Sequence, residues 1–426
     1  MNNMKNFFSI IAVIFISSSL TASAQNGILG ELGSDPRKAY GNDYPYGYAE
    51  STLSPAPKGY RPFYISQYAR HGSRYYWNDT LYRELDTLLS TAAANHCLTP
   101  DGERFHDRFM AVKDELTTGV SELTQLGWEQ HTRLAHTMYT SFKELFRKGG
   151  DIMAVSSLSG RCVLSMSAFC LEMTRCNPKL RIREQSSRFT LDGVVPDDSN
   201  NPKLRAFPEA GPRYEQNMSS FKQTDSSLRD SIIRRMFIST EGLPGDVNSI
   251  ASSLTSLYTS LPSIGHEGLM EGIISDEDIV SGWEVSNLGS YSWVFSGQYK
   301  MIPLLEDIIG KADAAISGEN TVLADLRFGH DGCIGPLTVL MGIAGADLDP
   351  EDPYEVKNCY QNWQTCMASN IQLVFFRRNG GKDKEDILVK CLLNGSEAAL
   401  PVATDIFPYY RWSDLRSLYL DRCNAM

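Results

Sequence analysis

Phe63-Tyr64-Ile65-Ser66-Gln67-Tyr68-Ala69-Arg70-His71-Gly72-Ser73-Arg74 is the stretch on which the reading of this chain turns. Phe63 to Tyr68 is a short β-rich run. The residues after it set two guanidinium groups beside one imidazole where the chain leaves the strand. Arginine suits such a place, because its planar fork binds two phosphate oxygens at once. The imidazole between them can attack phosphorus, provided one ring nitrogen is held protonated by a hydrogen bond and the other is left free. Gly72 lets the backbone turn tightly and lets a ligand approach closely. For a lone Arg-His pair, a surface ion-pair cluster with a chance histidine is the simpler reading.

Two further strand ends change that reading. Ile152 to Ser156 reads as a strand, and Ser157-Leu158-Ser159-Gly160-Arg161 then opens a helix whose apolar face carries Val163, Met166, Phe169, Cys170 and Met173. This sets Arg161 in the first turn, and a helix N-terminus with an added cation is a good anion site. The strand Val322 to Phe328 ends in Gly329-His330-Asp331-Gly332, again a histidine beside glycine, now followed by a carboxylate. Pro336 is expected in the first turn of the next helix.

Strand patterns at Ile371 to Phe376 and Ile387 to Leu393 alternate with helical patterns such as Leu81, Leu85, Leu88 and Leu89. The implied class is α/β, with a mainly parallel central sheet and helices on both faces. In such sheets a ligand sits outside the carboxyl ends of the strands. Residues 25–180 and 296–426 are expected to form this core. The stretch 181–295 is rich in Ser, Asp, Asn and Arg, with helical patterns at Ser226 to Phe237 and Ser249 to Ser260, and is expected to be a mostly helical cap insertion.

The N-terminus has one lysine, an apolar run from Phe7 to Ile16 and Ala22-Ser23-Ala24 before Gln25. That is the pattern of a secretory signal peptide cleaved after Ala24, which predicts a periplasmic or secreted protein with no membrane insertion after cleavage. The formal net charge is -11, which argues against nucleic acid and anionic membranes as partners. An anionic ligand then needs a local arginine cluster to override the global field. Nine cysteines in an exported chain permit disulfides, and Cys359 with Cys366 is the readiest pair. No metal-ligand spacing stands out, so neither a metal nor a cofactor is expected.

These motifs resemble those of the histidine acid phosphatases, the second branch of the histidine phosphatase superfamily. Arg70-His71-Gly72-Ser73-Arg74 is similar to that family's Arg-His-Gly-x-Arg signature, and His330-Asp331 to its His-Asp pair. Glu122-Leu123-Thr124-Gln125-Leu126-Gly127 resembles its Leu-Thr-x-x-Gly element, and Arg161 with Ser165 to Ala168 the element carrying its third phosphate-binding arginine. Within the family, Phe328-Gly329-His330, Pro336-Leu337 to Leu340-Met341-Gly342 and Ala368-Ser369-Asn370 before Leu373-Val374-Phe375 look like the C-terminal half of the multiple inositol polyphosphate phosphatases. Those proteins usually follow the second histidine with Ala-Glu where this chain has Asp331-Gly332. The proline expected two residues after Arg74 is Tyr76 here.

Carried over, the resemblance implies that His71 is the nucleophile, that Arg70, Arg74, Arg161 and His330 hold phosphate oxygens, and that Asp331 donates the proton. The implied substrate is a small phosphate ester, an inositol polyphosphate such as phytate by the closer resemblance. An acid or sugar phosphatase acting on small monoesters is the alternative, with a non-catalytic phosphate-binding protein behind it. A phosphoglycerate-mutase-like transferase would lack the His-Asp pair and the large cap. Tyr75, Tyr76 and Trp77 are candidates for the pocket wall. Arg183, Arg188, Lys203, Arg205 and Arg213 are candidates for peripheral phosphates. His96, His106, His131, His136 and His266 have no nameable partner, and the sequence leaves the oligomeric state open.

Overall fold

The computed structural model describes residues 28, 30–47, 52–196, 201–207, 211–217, 219–380 and 386–425, the side chains of 219–225 excepted. The leader expected at 1–24 lies outside the described residues. Among them, no helix is long and apolar enough to cross a membrane.

Eight strands form one sheet: β1 (Tyr60–Arg70), β2 (Gly150–Ser156), β3 (Leu180–Gln185), β4 (Ala324–Gly329), β5 (Asn370–Arg378), β6 (Ile387–Leu393), β7 (Ser396–Ala398) and β8 (Tyr409–Arg411). Their order is β3-β2-β4-β1-β5-β6-β7, with β8 also paired to β6. The pairings from β3 to β1 are parallel, whereas β1–β5 and everything beyond are antiparallel. The α/β class stands, but the expected parallel character holds for one half only. The short connection from β5 to β6 is long enough for a hairpin and too short for a crossover, so β6 runs antiparallel to β5. Residues 181–185, expected at the start of the cap, belong to the edge strand β3.

The longer helices are, in chain order, α1 (Asp79–Ala94), α2 (Pro100–Thr118), α3 (Gln125–Ser141), α4 (Gly160–Cys176), α5 (Ser219–Met236), α6 (Val247–Ser260), α7 (Asp276–Ser296), α8 (Ile302–Ser317), α9 (Asp331–Met341) and α10 (Trp412–Asn424). Side chains alternate across a strand, and β1 shows the result. Its Tyr64 and Tyr68 pack with α8, α9 and α10 on one face, while Ile65 and Ala69 pack with α3 and α4 on the other. A third cluster joins Leu85 of α1 and Phe105 of α2 to Met236, Leu254 and Trp283 of α5, α6 and α7. With both sheet faces already covered, the apolar faces of α1 and α2 find their partners there. The helical layer is therefore built from two separate stretches of chain.

Two local expectations need correction. Helix α9 begins directly at Asp331 because His330 takes the extended cap position, so Pro336 falls inside the helix and not in its first turn. Cys359 and Cys366 are not joined and are both free thiols. They belong to different surroundings: Cys359 packs with Tyr291 and Val339, whereas Cys366 lies where it feels the charge of Arg70. Burial pushes both thiols up to about 12.

Candidate active site

The register places three strand ends level. Arg70 pairs with Gly329 across β1 and β4, and Phe328 pairs with Ser156 across β4 and β2. His71, His330 and Ser157 therefore leave the sheet side by side, at the carboxyl ends of parallel strands. The backbone N–H of His71 donates to Gly329 at 2.9 Å, and the two histidine rings meet edge to face with centroids 5.6 Å apart.

His71 is buried, and its Nδ1 lies 2.9 Å from the Gly72 carbonyl. A carbonyl can only accept, so Nδ1 carries the proton and Nε2 keeps its lone pair. Burial, followed by the charges of Arg70, Arg74, Arg161 and His330, pushes the imidazole well below its ordinary pKa. A neutral ring with a free Nε2 is the form able to act as a nucleophile.

Around it stand the three arginines. Arg70 is fully buried; one terminal nitrogen donates to the Thr365 carbonyl at 2.8 Å and to the Asn42 carbonyl. Its other terminal nitrogen lies 3.1 Å from Asp331. Arg74 is buried and donates to the Tyr75 carbonyl at 2.9 Å. The Nε–H groups of Arg70 and Arg161 are buried without a protein acceptor. Leaving such donors unpaired costs about 1–3 kcal/mol each, more when charged. Two of them beside one neutral imidazole make a site that an oxyanion would complete.

His330 is fixed by Ser157, whose Oγ lies 3.0 Å from its Nε2, and burial, then Arg161, lower it to about 4. Asp331 opens α9 and accepts from the Gly332 N–H at 3.0 Å. Burial works to raise its carboxyl. Arg70, Arg74, that N–H and His330 outweigh burial and hold it below the ordinary carboxylate range.

The backbone beneath the imidazole is held by close packing. A Cβ on Gly72 would stand 2.4 Å from the Gly127 carbonyl oxygen, so glycine is required on geometric grounds. Thr124 explains the element that contains it. Its hydroxyl accepts from Gly127 N–H at 3.2 Å to cap α3 and donates to the Ser73 carbonyl at 3.0 Å. Ser73 N–H donates to Gln130 at 2.8 Å and Gly72 N–H to Ser165 at 3.1 Å. His131, buried and lowered to about 4 chiefly by burial, lies with Nε2 3.1 Å from the Arg70 carbonyl. The neutral ring must donate there.

Tyr76 belongs to the helical core and Trp77 is exposed. Arg213 is held by Asp349 and Glu351. Arg183, Arg188, Lys203 and Arg205 are exposed. His266 pairs with Glu115 and His106 with Asp107. Among the described residues, His136, Glu172 and Cys176 bring ligand-type atoms within 4.8 Å of one another, yet both oxygens of Glu172 are already bound by Arg175. That group is eleven residues or more along α4 from Arg161, roughly 16 Å at 1.5 Å per residue.

No family model and no curated protein matches the chain by sequence. Solved structures do match it by fold. The multiple inositol polyphosphate phosphatase of Bifidobacterium longum, in complex with inositol hexasulfate, is similar at a TM-score of 0.68 and 18% identity over 89% of this chain and 97% of that one. The phytase from D. castellii gives 0.63 and 14% over 91% and 85%, and that of Hafnia alvei 0.53 and 13% over 86% and 98%. With nine-tenths of its length superposing on such proteins, the chain has the fold of the multiple inositol polyphosphate phosphatases and phytases, as its resemblance to the histidine acid phosphatases leads one to expect.

Proposed function

We propose that the protein is an exported phosphomonoesterase that hydrolyses inositol polyphosphates such as phytate through a phosphohistidine intermediate. One observation carries the reading: a neutral imidazole with a free Nε2 stands among three guanidinium groups, two of which hold buried N–H donors that no protein atom accepts. His71 Nε2 attacks phosphorus, and the ester oxygen leaves with a proton from Asp331. Water then attacks the phosphohistidine, giving its proton to Asp331, and inorganic phosphate departs. Arg70, Arg74, Arg161 and His330 carry the charge of the phosphoryl oxygens, which is most of what this chemistry asks of a protein. The leader-like N-terminus supports export, and the fold shared with phytases supports the substrate class.

A second reading, hydrolysis of small monoesters, draws support from Arg213, a candidate for a peripheral phosphate that is occupied by two carboxylates. A panel of phytate, glucose phosphates and an aryl phosphate separates the two. The first reading expects ready phytate turnover, and His71→Ala should abolish activity on every ester. Negligible phytate hydrolysis beside rapid turnover of glucose phosphates would favour the second, and substantial activity in His71→Ala would remove the nucleophile from both.

A further inference from the structure

Between α6, α7 and the segment that ends at Asp43 lies a cavity of about 240 Å³. Its polar lining includes Asn42, Asp43, Ser256, Thr259, Ser286 and Ser290, and among the described residues no lysine, arginine or histidine lines it. Asp43 stands where this cavity meets the catalytic cluster. The neighbouring Asn42 carbonyl receives the Arg70 guanidinium, and the Asn42 side chain accepts from the Thr365 hydroxyl at 2.9 Å, which fixes the segment against Arg70. The Asp43 carboxyl accepts from the Thr259 hydroxyl at 3.2 Å. It lies near enough to Arg74, Arg70 and Asp331 to feel their charges. Neither arginine, however, makes an ion pair with it.

Leu228, Ile279 and Val285 give the cavity an apolar side, and its hydroxyls, amides and one carboxyl are partners for hydroxyl groups, a combination that suits a polyol ring. Ionised or protonated, a carboxyl can satisfy a hydroxyl; ionised it repels a phosphate, and in neither form does it supply the positive charge a phosphate needs. Sites built to hydrogen-bond a hydroxyl discriminate strongly, because a partner lacking it leaves buried polar groups unpaired.

We propose that Asp43 is a specificity-determining residue that admits a free hydroxyl, and not a second phosphate, beside the scissile ester. Phytate is still hydrolysed, but the favoured substrates are vicinal hydroxy phosphates of a polyol ring, ahead of phytate itself: partly dephosphorylated inositol phosphates, or sugar phosphates esterified next to a ring hydroxyl. This rests on the reading of His71 as the phosphoryl acceptor and narrows what that acceptor is offered.

The test compares kcat/KM for phytate, a myo-inositol monophosphate and glucose 1-phosphate in the wild type, Asp43→Asn and Asp43→Ser, with thermal unfolding to verify the fold. The wild type should favour the monophosphates, and Asp43→Asn should move the phytate-to-monophosphate ratio toward phytate by about tenfold. Asp43→Ser should move it the same way, so that one poorly folding variant leaves the other to decide. Faster inositol monophosphate assigns the cavity to a cyclitol and faster glucose 1-phosphate to a sugar; either order upholds the proposal. A wild type that favours phytate, or a ratio that both variants leave within about twofold, overturns it. Turnover of p-nitrophenyl phosphate by the wild type, lost in His71→Ala, checks the underlying phosphatase reading separately. If the wild type cleaves no ester at all, that reading fails and this proposal with it.

Discussion

Asp331 is ion-paired with Arg70 and held ionised, yet a proton donor must begin its step protonated. Substrate resolves the conflict. A phosphate dianion bound by Arg70 and Arg74 takes over their field and adds negative charge of its own, and both effects raise the Asp331 carboxyl. The falling limb of activity with rising pH should therefore lie lower in kcat/KM, which reports the free enzyme, than in kcat, which reports the complex. Asp331→Asn should cost roughly 10²–10⁴ with an alkyl phosphate and far less with a nitrophenyl ester, whose leaving group departs unaided. Equal slowing of both, with the fold intact, would make Asp331 a holder of phosphate or of His330. The motif residues themselves were legible in the sequence because each follows a strand end beside glycine. His131, Gln130 and Asp43 were not, since each acts through a contact with a residue distant in the chain or across the site.

Among the elements, those with a clear period were readable and those shaped by neighbours were not. Strands β1, β2, β4, β5 and β6 announce themselves as apolar runs, but direction is not written in such runs, and connection length decides it only for β6 beside β5. Edge strand β3 alternates Leu180 and Ile182 with Arg181 and Arg183, so only part of it has a face to bury. The meeting of β1 and α3 depends on Gly72 and Gly127 together, a contact invisible at their sequence separation. Gly72→Ala should destabilise the fold by about 1–3 kcal/mol, since the added carbon meets backbone and not a movable side chain. Gly310→Ala, in the interior of α8 with nothing within 4 Å of the added carbon, should instead stabilise by about 0.5–1 kcal/mol. Thermal unfolding of the two variants checks both; a Gly72→Ala protein as stable as the wild type would contradict the packing described here.

For the whole molecule, a net charge of -11 and an anionic substrate are compatible only because the positive charge is concentrated where the parallel strands end. Burial makes that concentration effective, since charges in a dry site act more strongly than on a wet surface. The helical layer drawn from α1, α2, α5, α6 and α7 brings α7 over α9, where Trp293 lies against Gly332, and α6 against Asp43. The central claim, that His71 takes the phosphoryl group, is tested most directly by acid-free denaturing quench of the protein during turnover of a ³²P-labelled ester, followed by mapping of the label. One label per chain is expected on His71, stable in base and lost in acid, and none in His71→Ala. A label on a carboxylate or hydroxyl residue, or one that persists in His71→Ala, would contradict it.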